Sequence, residues 1–72
     1  LNYIDFNKGI RERDDLRLII YQNLMDLKDR NIVDWIDIET IWKRHISCKS
    51  NHGDALIILT SLEIHLKNGL HL

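Results

Sequence analysis

Residues 53–68, which read GDALIILTSLEIHLKN, are the segment that most restricts what this chain can fold into. Wound as a helix, the segment points apolar side chains in almost every direction: Ala55, Leu56, Ile57, Ile58, Leu59, Leu62, Ile64 and Leu66. A helix of this kind needs protein packed around most of its circumference. A chain of 72 residues supplies only part of that packing. The segment therefore predicts a fragment or subdomain of a larger protein.

The composition is typical of one small soluble domain covering residues 1–72, with 44% hydrophobic and 29% charged residues. Cys48 is the only cysteine, so no internal disulfide is available. Together with the lack of a signal-peptide pattern, this predicts a reducing, cytoplasmic setting. The net charge of −1, with both signs interspersed, argues against a nucleic-acid or anionic-membrane partner. The longest apolar run, Ala55 to Leu59, is far shorter than the roughly 20 residues of a transmembrane helix.

The chain contains no proline, and its apolar residues recur at spacings of three and four. This pattern predicts an all-α fold, a small bundle of three helices. The helices are expected over about 14–30, 37–47 and 53–68. Residues 1–10 alternate weakly and end in Asn7-Lys8-Gly9, which predicts an irregular or extended lead-in.

Short polar residues mark the expected helix boundaries. N-caps are predicted at Asp14 or Asp15, at Asp37 and at Asn51. Asn31 is expected to end the first helix, because asparagine tolerates the left-handed conformation found at helix ends. Asn68-Gly69 is expected to end the third.

The two tryptophans lie at the second predicted helix. Because isoleucines surround them, Trp35 is expected to close one end of the core and Trp42 to lie on the inward face. A stacking platform is the alternative interpretation of the pair. A DNA-binding helix-turn-helix is not favoured, because the third helix would present leucines and isoleucines to the groove.

The polar link before the third helix contains residue types that bind metals or act as nucleophiles. His45, Cys48 and His52, with Asp54 as a fourth ligand, define a zinc hypothesis, although the usual paired cysteines are missing. Cys48 with His52 defines a nucleophile hypothesis. Turn-capping and packing roles explain the same residues more simply. We therefore predict no catalytic residue, no metal site and no cofactor in this chain.

The pattern His45-x-x-Cys48-x-x-Asn51-His52-Gly53-x-x-Leu56 resembles the C-terminal end of asparagine synthase-type amidotransferases. Members of that family close with a helix, a His-x-x-Gly-x-x-Asp/Asn-His turn, and a last helix carrying a Leu-Glu-x-x-Leu segment. The resemblance covers about residues 32–68. Cys48 occupies the usual glycine position, and Ile57 and His65 replace aromatic residues of the family's last helix.

The resemblance implies a parent enzyme with a glutaminase domain and a synthetase domain that activates a carboxylate with ATP and Mg. The family's Ser-Gly-Gly-x-Asp-Ser phosphate loop does not occur in this sequence, and Cys48 is internal rather than N-terminal. The implied role is therefore a catalytically inert structural cap on the parent's synthetase core. In it His45, Cys48, Asn51, His52 and Gly53 form a structural turn motif.

Two kinds of partner are compatible with the last helix, whose interface residues are predicted to be Leu56, Leu59, Leu62 and Leu66. One is the remainder of a parent synthetase domain. The other is a second copy of the chain, in which case the protein is a free-standing helical interaction or dimerisation module.

Overall fold

The computed structural model describes residues 5–69, which form four helices and no strand. The helices are α1 (Phe6–Glu12), α2 (Asp14–Arg30), α3 (Ile38–Ile46) and α4 (Gly53–Lys67). The all-α class is confirmed, and the three predicted helices correspond to α2, α3 and α4. Within residues 5–69 no helix is long and apolar enough to cross a membrane.

The prediction of three helices is wrong because α1 occupies the second half of the expected lead-in, residues 6–10; residues 1–4 lie outside the described part. Asp5 is the N-cap, and its carboxylate accepts a hydrogen bond from the backbone N–H of Lys8 at 3.2 Å. Only Ile10 of this helix is buried. A helix of seven residues is marginal by itself, so tertiary contacts rather than a periodic apolar stripe hold it.

The core lies between α2 and α4, and α1 and α3 close it. Helices α2 and α4 run antiparallel, since Arg30 pairs with Glu63 and the earlier Asp26 pairs with the later Lys67. Its fully buried side chains include Ile10, Ile20, Leu24, Leu27 and Leu56. Ile20, Leu24 and Leu27 recur at helical spacing, so α2 turns one stripe inward, as its sequence pattern predicted.

Several predicted boundaries are confirmed. Asp37 caps α3, with its carboxylate accepting from the backbone N–H of Thr40 at 3.1 Å. Asn31 ends α2 in the left-handed conformation, with φ of 58°. The N-cap of α2 is Arg13 rather than an aspartate, although Asp15 Oδ1 accepts from the free backbone N–H of Leu16 at 2.8 Å.

The expectation for Trp35 is wrong, since its side chain is 75% exposed in the α2–α3 link instead of closing the core. Trp42 is half-buried and packs against the core edge. Its ring lies 5.5 Å from that of Tyr21, centroid to centroid, at an angle of 48°. The two tryptophans therefore do not form a common stacking platform.

Candidate functional site

The structural turn motif is organised around His45, a buried residue in the last turn of α3. Its Nδ1 accepts a hydrogen bond from the backbone N–H of His52 at 2.9 Å. Its Nε2 lies 3.0 Å from the carbonyl oxygen of Asn7 in α1. Because a carbonyl only accepts, the proton is assigned to Nε2 and Nδ1 is the acceptor. One neutral ring thus joins α1, α3 and the start of α4.

Burial lowers the pKa of His45, because the apolar surroundings disfavour the charged ring. The carbonyl of Asn7 opposes this shift, and the positive charge of Arg11 adds to it. His45 is therefore neutral near pH 7 and serves as a fixed acceptor and donor.

Arg11 ties the motif to α1 from a second direction. Its Nε donates to the carbonyl oxygen of His45 at 2.6 Å. Its Nη2 donates to the carbonyl oxygen of Ser50 at 2.9 Å and to Oδ1 of Asn51 at 2.7 Å. The guanidinium thereby satisfies acceptors at both ends of the turn between α3 and α4.

Cys48 is the residue whose backbone conformation ends α3. The N–H of Cys48 donates to the carbonyl of His45 at 3.2 Å, and the N–H of Lys49 to that of Arg44 at 2.9 Å. These two bonds form a Schellman motif, whose left-handed residue is usually glycine. Here that residue is Cys48, with φ of 62° and an exposed thiol. Position 48 therefore has the conformation that favours glycine.

The N-terminal cap of α4 is a side chain of α1 and not one of the residues just before α4. Oδ1 of Asn7 accepts from the backbone N–H of Gly53 at 2.8 Å, and His52 at the N-cap position makes no side-chain capping bond. The predicted capping role of Asn51 is therefore wrong, because its side chain accepts from Arg11. A Cβ at Gly53 would lie 2.4 Å from Oδ1 and 3.1 Å from the backbone nitrogen of Asn7. Only glycine allows this approach.

The structure does not bring together the residues of the zinc hypothesis or those of the nucleophile hypothesis. Both ring nitrogens of His45 are engaged by backbone groups. Nε2 of His52 lies 2.7 Å from Oγ of Ser50, not beside Cys48. Across residues 5–69, no three His, Cys, Asp or Glu side chains are grouped as metal ligands.

The predicted interface residues of α4 face inward. Leu56 and Leu59 are buried in the chain's own core, and Leu62 and Leu66 are half-buried against it. The apolar side chains that α4 exposes are Ile58, at 68%, and Ile64. A partner meeting α4 therefore contacts the isoleucines before the leucines.

Sequence reasoning missed Glu63, whose side chain is only 1% exposed. Its carboxylate accepts from Nε of Arg30 at 2.5 Å and from Nη2 at 3.1 Å. The two-point pairing raises the pKa of Arg30, so the guanidinium stays charged. The sequence does contain a signal for this burial: Glu63 follows Leu56 by seven residues, which places both on the inward stripe of α4.

Comparison with known proteins gives no match, whether with family models, curated proteins or solved structures.

Proposed function

We propose that this chain is the helical C-terminal region of an asparagine synthase-like, ATP-dependent amidotransferase. In this role it is a structural cap on the synthetase core, in a cytoplasmic enzyme, and is catalytically inert alone. ATP and Mg bind to the parent's core and not to this region. The observation that carries the proposal is the left-handed backbone at Cys48, the position where the resembling motif has glycine.

The hydrogen bonds of the motif support the same interpretation. A left-handed residue is disfavoured for any side chain with a Cβ, so a glycine-bearing motif fits this turn better than the cysteine does. His45 accepts from the His52 N–H, and Gly53 makes the close approach to α1. The spacing of the motif thus corresponds to contacts that build a turn, without requiring proton transfer.

The exposed apolar residues support a covered position in a larger protein. Eight large hydrophobic side chains within residues 5–69 are at least 41% exposed: Phe6, Leu18, Ile19, Tyr21, Ile32, Trp35, Ile58 and Ile64. Where such side chains lie together in one patch, they favour contact with another protein surface. A synthetase core packed against the chain is one such surface.

The test is the native reading frame that encodes this chain, together with the mass of the natural protein. We expect a long protein containing Ser-Gly-Gly-x-Asp-Ser, which converts ATP to AMP and pyrophosphate only when a carboxylate substrate is present. A natural protein without that loop and without this activity would contradict the proposal.

The second candidate is a free-standing helical module that self-associates through α4, and the exposure of Ile58 favours it. Leu59→Asp is a poor test, because Leu59 belongs to the core and the variant would unfold. Ile58→Asp is informative: sedimentation should show a dimer that this variant dissociates. A wild-type chain that remains monomeric at all accessible concentrations rules this candidate out.

A further inference from the structure

A second surface, distinct from the turn motif, lies on the outer side of α3. Two neighbouring depressions, each of about 510 Å³, share Trp42 and Ile46 as lining residues. One extends towards α2, where Leu18 and Tyr21 line it. The other extends over Lys43, Arg44 and Lys49. We name the surface formed by Trp42, Ile46, Lys43, Arg44 and Lys49 the basic-aromatic surface.

The aromatic part of this surface is held in place before any partner arrives. Trp42 packs on Tyr21 of α2, with ring centroids 5.5 Å apart. An ion pair between Lys28 and Glu39 joins the same two helices nearer the start of α3. A side chain fixed in this way loses little conformational entropy on binding, which favours affinity.

The distribution of cations singles out this surface. Seven of the ten lysines and arginines form ion pairs or hydrogen bonds through their side chains: Lys8, Arg11, Arg13, Arg17, Lys28, Arg30 and Lys67. The remaining three, Lys43, Arg44 and Lys49, form no ion pair within residues 5–69. All three line the same depression. Unpaired positive charge is therefore concentrated beside Trp42 and Ile46.

The C-terminal end of α3 explains only part of this clustering. A helix C-terminus carries roughly half a negative charge, which stabilises nearby cations. Two carbonyls of that end, those of Arg44 and His45, already accept from the N–H groups of the following turn. Asp37 and Glu39 lie near Lys43, and Asp14 lines the neighbouring depression, so the positive excess of the surface is greatest beside Arg44 and Lys49.

We propose that the basic-aromatic surface docks an amphipathic protein segment whose apolar side chains are flanked by aspartates or glutamates. The apolar side chains fill the depressions beside Trp42 and Ile46, and the carboxylates pair with Lys43, Arg44 and Lys49. This inference does not depend on the proposed amidotransferase assignment, because it rests on the charges and shape of the chain itself. Such mixed apolar and charge complementarity provides both affinity and orientation.

The probe is a synthetic helical peptide of about 15 residues with leucines at positions i, i+3, i+4 and i+7 and glutamates between them. Two control peptides replace its glutamates with lysines or its leucines with serines. Binding is followed by the fluorescence of Trp42 in a Trp35→Phe background, since Trp35 lines neither depression. We expect both control peptides to bind about tenfold more weakly or worse than the acidic leucine peptide.

Matched variants of the chain locate the binding. Lys43→Glu and Lys49→Glu are each expected to weaken binding of the acidic peptide by about fivefold and to strengthen binding of the lysine peptide. Lys8→Glu makes the same charge change at an exposed lysine outside both depressions, and should leave binding unchanged. Circular dichroism confirms that each variant is folded.

Four outcomes would overturn the proposal. The first is that the chain binds the acidic and the lysine peptides with equal affinity. The second is that neither Lys43→Glu nor Lys49→Glu changes the affinity for the acidic peptide. The third is a single-stranded RNA that binds this surface more tightly than the acidic peptide, which would identify a nucleic-acid site instead. The fourth is self-association that Lys43→Glu abolishes, which would make a second copy of the chain the occupant.

Discussion

The ring of His45 and the backbone of His52 are joined by a hydrogen bond in which Nδ1 is the acceptor, at 2.9 Å. A protonated ring has no acceptor at Nδ1, so this bond exists only with neutral His45. The turn between α3 and α4 therefore depends on the protonation state of one buried side chain.

Stability should fall when the pH is lowered from 7 to 5. Burial lowers the pKa of His45 in the folded chain below its ordinary value of 6.5, so the unfolded state binds the proton more readily. The free energy of unfolding is then highest above pH 6.5 and decreases as the pH falls towards the lowered folded pKa. Urea unfolding at a series of pH values measures the decrease.

His45→Gln is the control for this dependence, because its amide keeps a donor and an acceptor but does not titrate. The variant should be less stable at pH 7 and show a flatter profile between pH 7 and 5. Hydrogen bonds with Thr40 and Lys28 lower the pKa values of the Asp37 and Glu39 carboxyl groups, respectively. These two carboxylates therefore affect stability only at more acidic pH. An unchanged slope in His45→Gln would show that another group is responsible.

Gly53→Ala should destabilise the chain by about 2 kcal/mol, because the new Cβ would overlap Asn7 and displace α1 from the start of α4. Gly9→Ala is the matched control in α1. Its Cβ would meet only Cδ2 of Leu16, at an ordinary 3.5 Å, so it should stabilise by about 0.5–1 kcal/mol. Thermal or urea unfolding of both variants tests the contrast, and equal effects of the two substitutions would contradict it.

Cys48→Gly should stabilise the chain by about 0.5–1 kcal/mol, since glycine adopts the left-handed conformation without the strain of a Cβ. Cys48→Ala removes the thiol but keeps the Cβ, so its stability should stay close to that of the wild type. The difference between the two variants in urea unfolding isolates the backbone effect. A stabilisation shared equally by both would assign the gain to loss of the thiol.

Arg30→Met should destabilise the chain, because among residues 5–69 it leaves the buried carboxylate of Glu63 with one cationic neighbour, Lys67 Nζ, at 3.8 Å. The double variant Arg30→Met/Glu63→Met removes both charges and should recover part of the loss. Comparison of the two single variants with the double variant gives the coupling energy. A double variant less stable than Arg30→Met alone would show that the pair is not the reason for the loss.

The parts of the fold that the sequence predicted are those encoded by neighbouring residues. The inward stripe of α2, the Asp37 cap and the left-handed end at Asn31 each depend on side chains within one or two helical turns. Local spacing and hydrogen-bonding capacity therefore suffice to place these features.

The features that sequence reasoning missed depend on distant contacts. Helix α1 has one buried side chain, Ile10, and its other anchors include hydrogen bonds with His45 of α3, with Ser50 of the α3–α4 turn and with Arg17 of α2. The burial of Glu63 depends on Arg30 lying opposite it, 33 residues earlier in the chain. The exposure of Trp35 is not encoded by its neighbours, because Asp34 and Asp37 alternate with Val33 and Ile36 and are compatible with a buried or an exposed ring.

The bond from Asn7 to Gly53 spans 46 positions of the chain. The N–H of Gly53 at the start of α4 therefore has this side-chain acceptor only while α1 is docked against it. No single helical hairpin of this bundle contains all of its own hydrogen bonds, since α4 receives its N-terminal cap from α1. We infer that the amide protons at the start of α4 and those of α1 exchange with solvent through one shared opening.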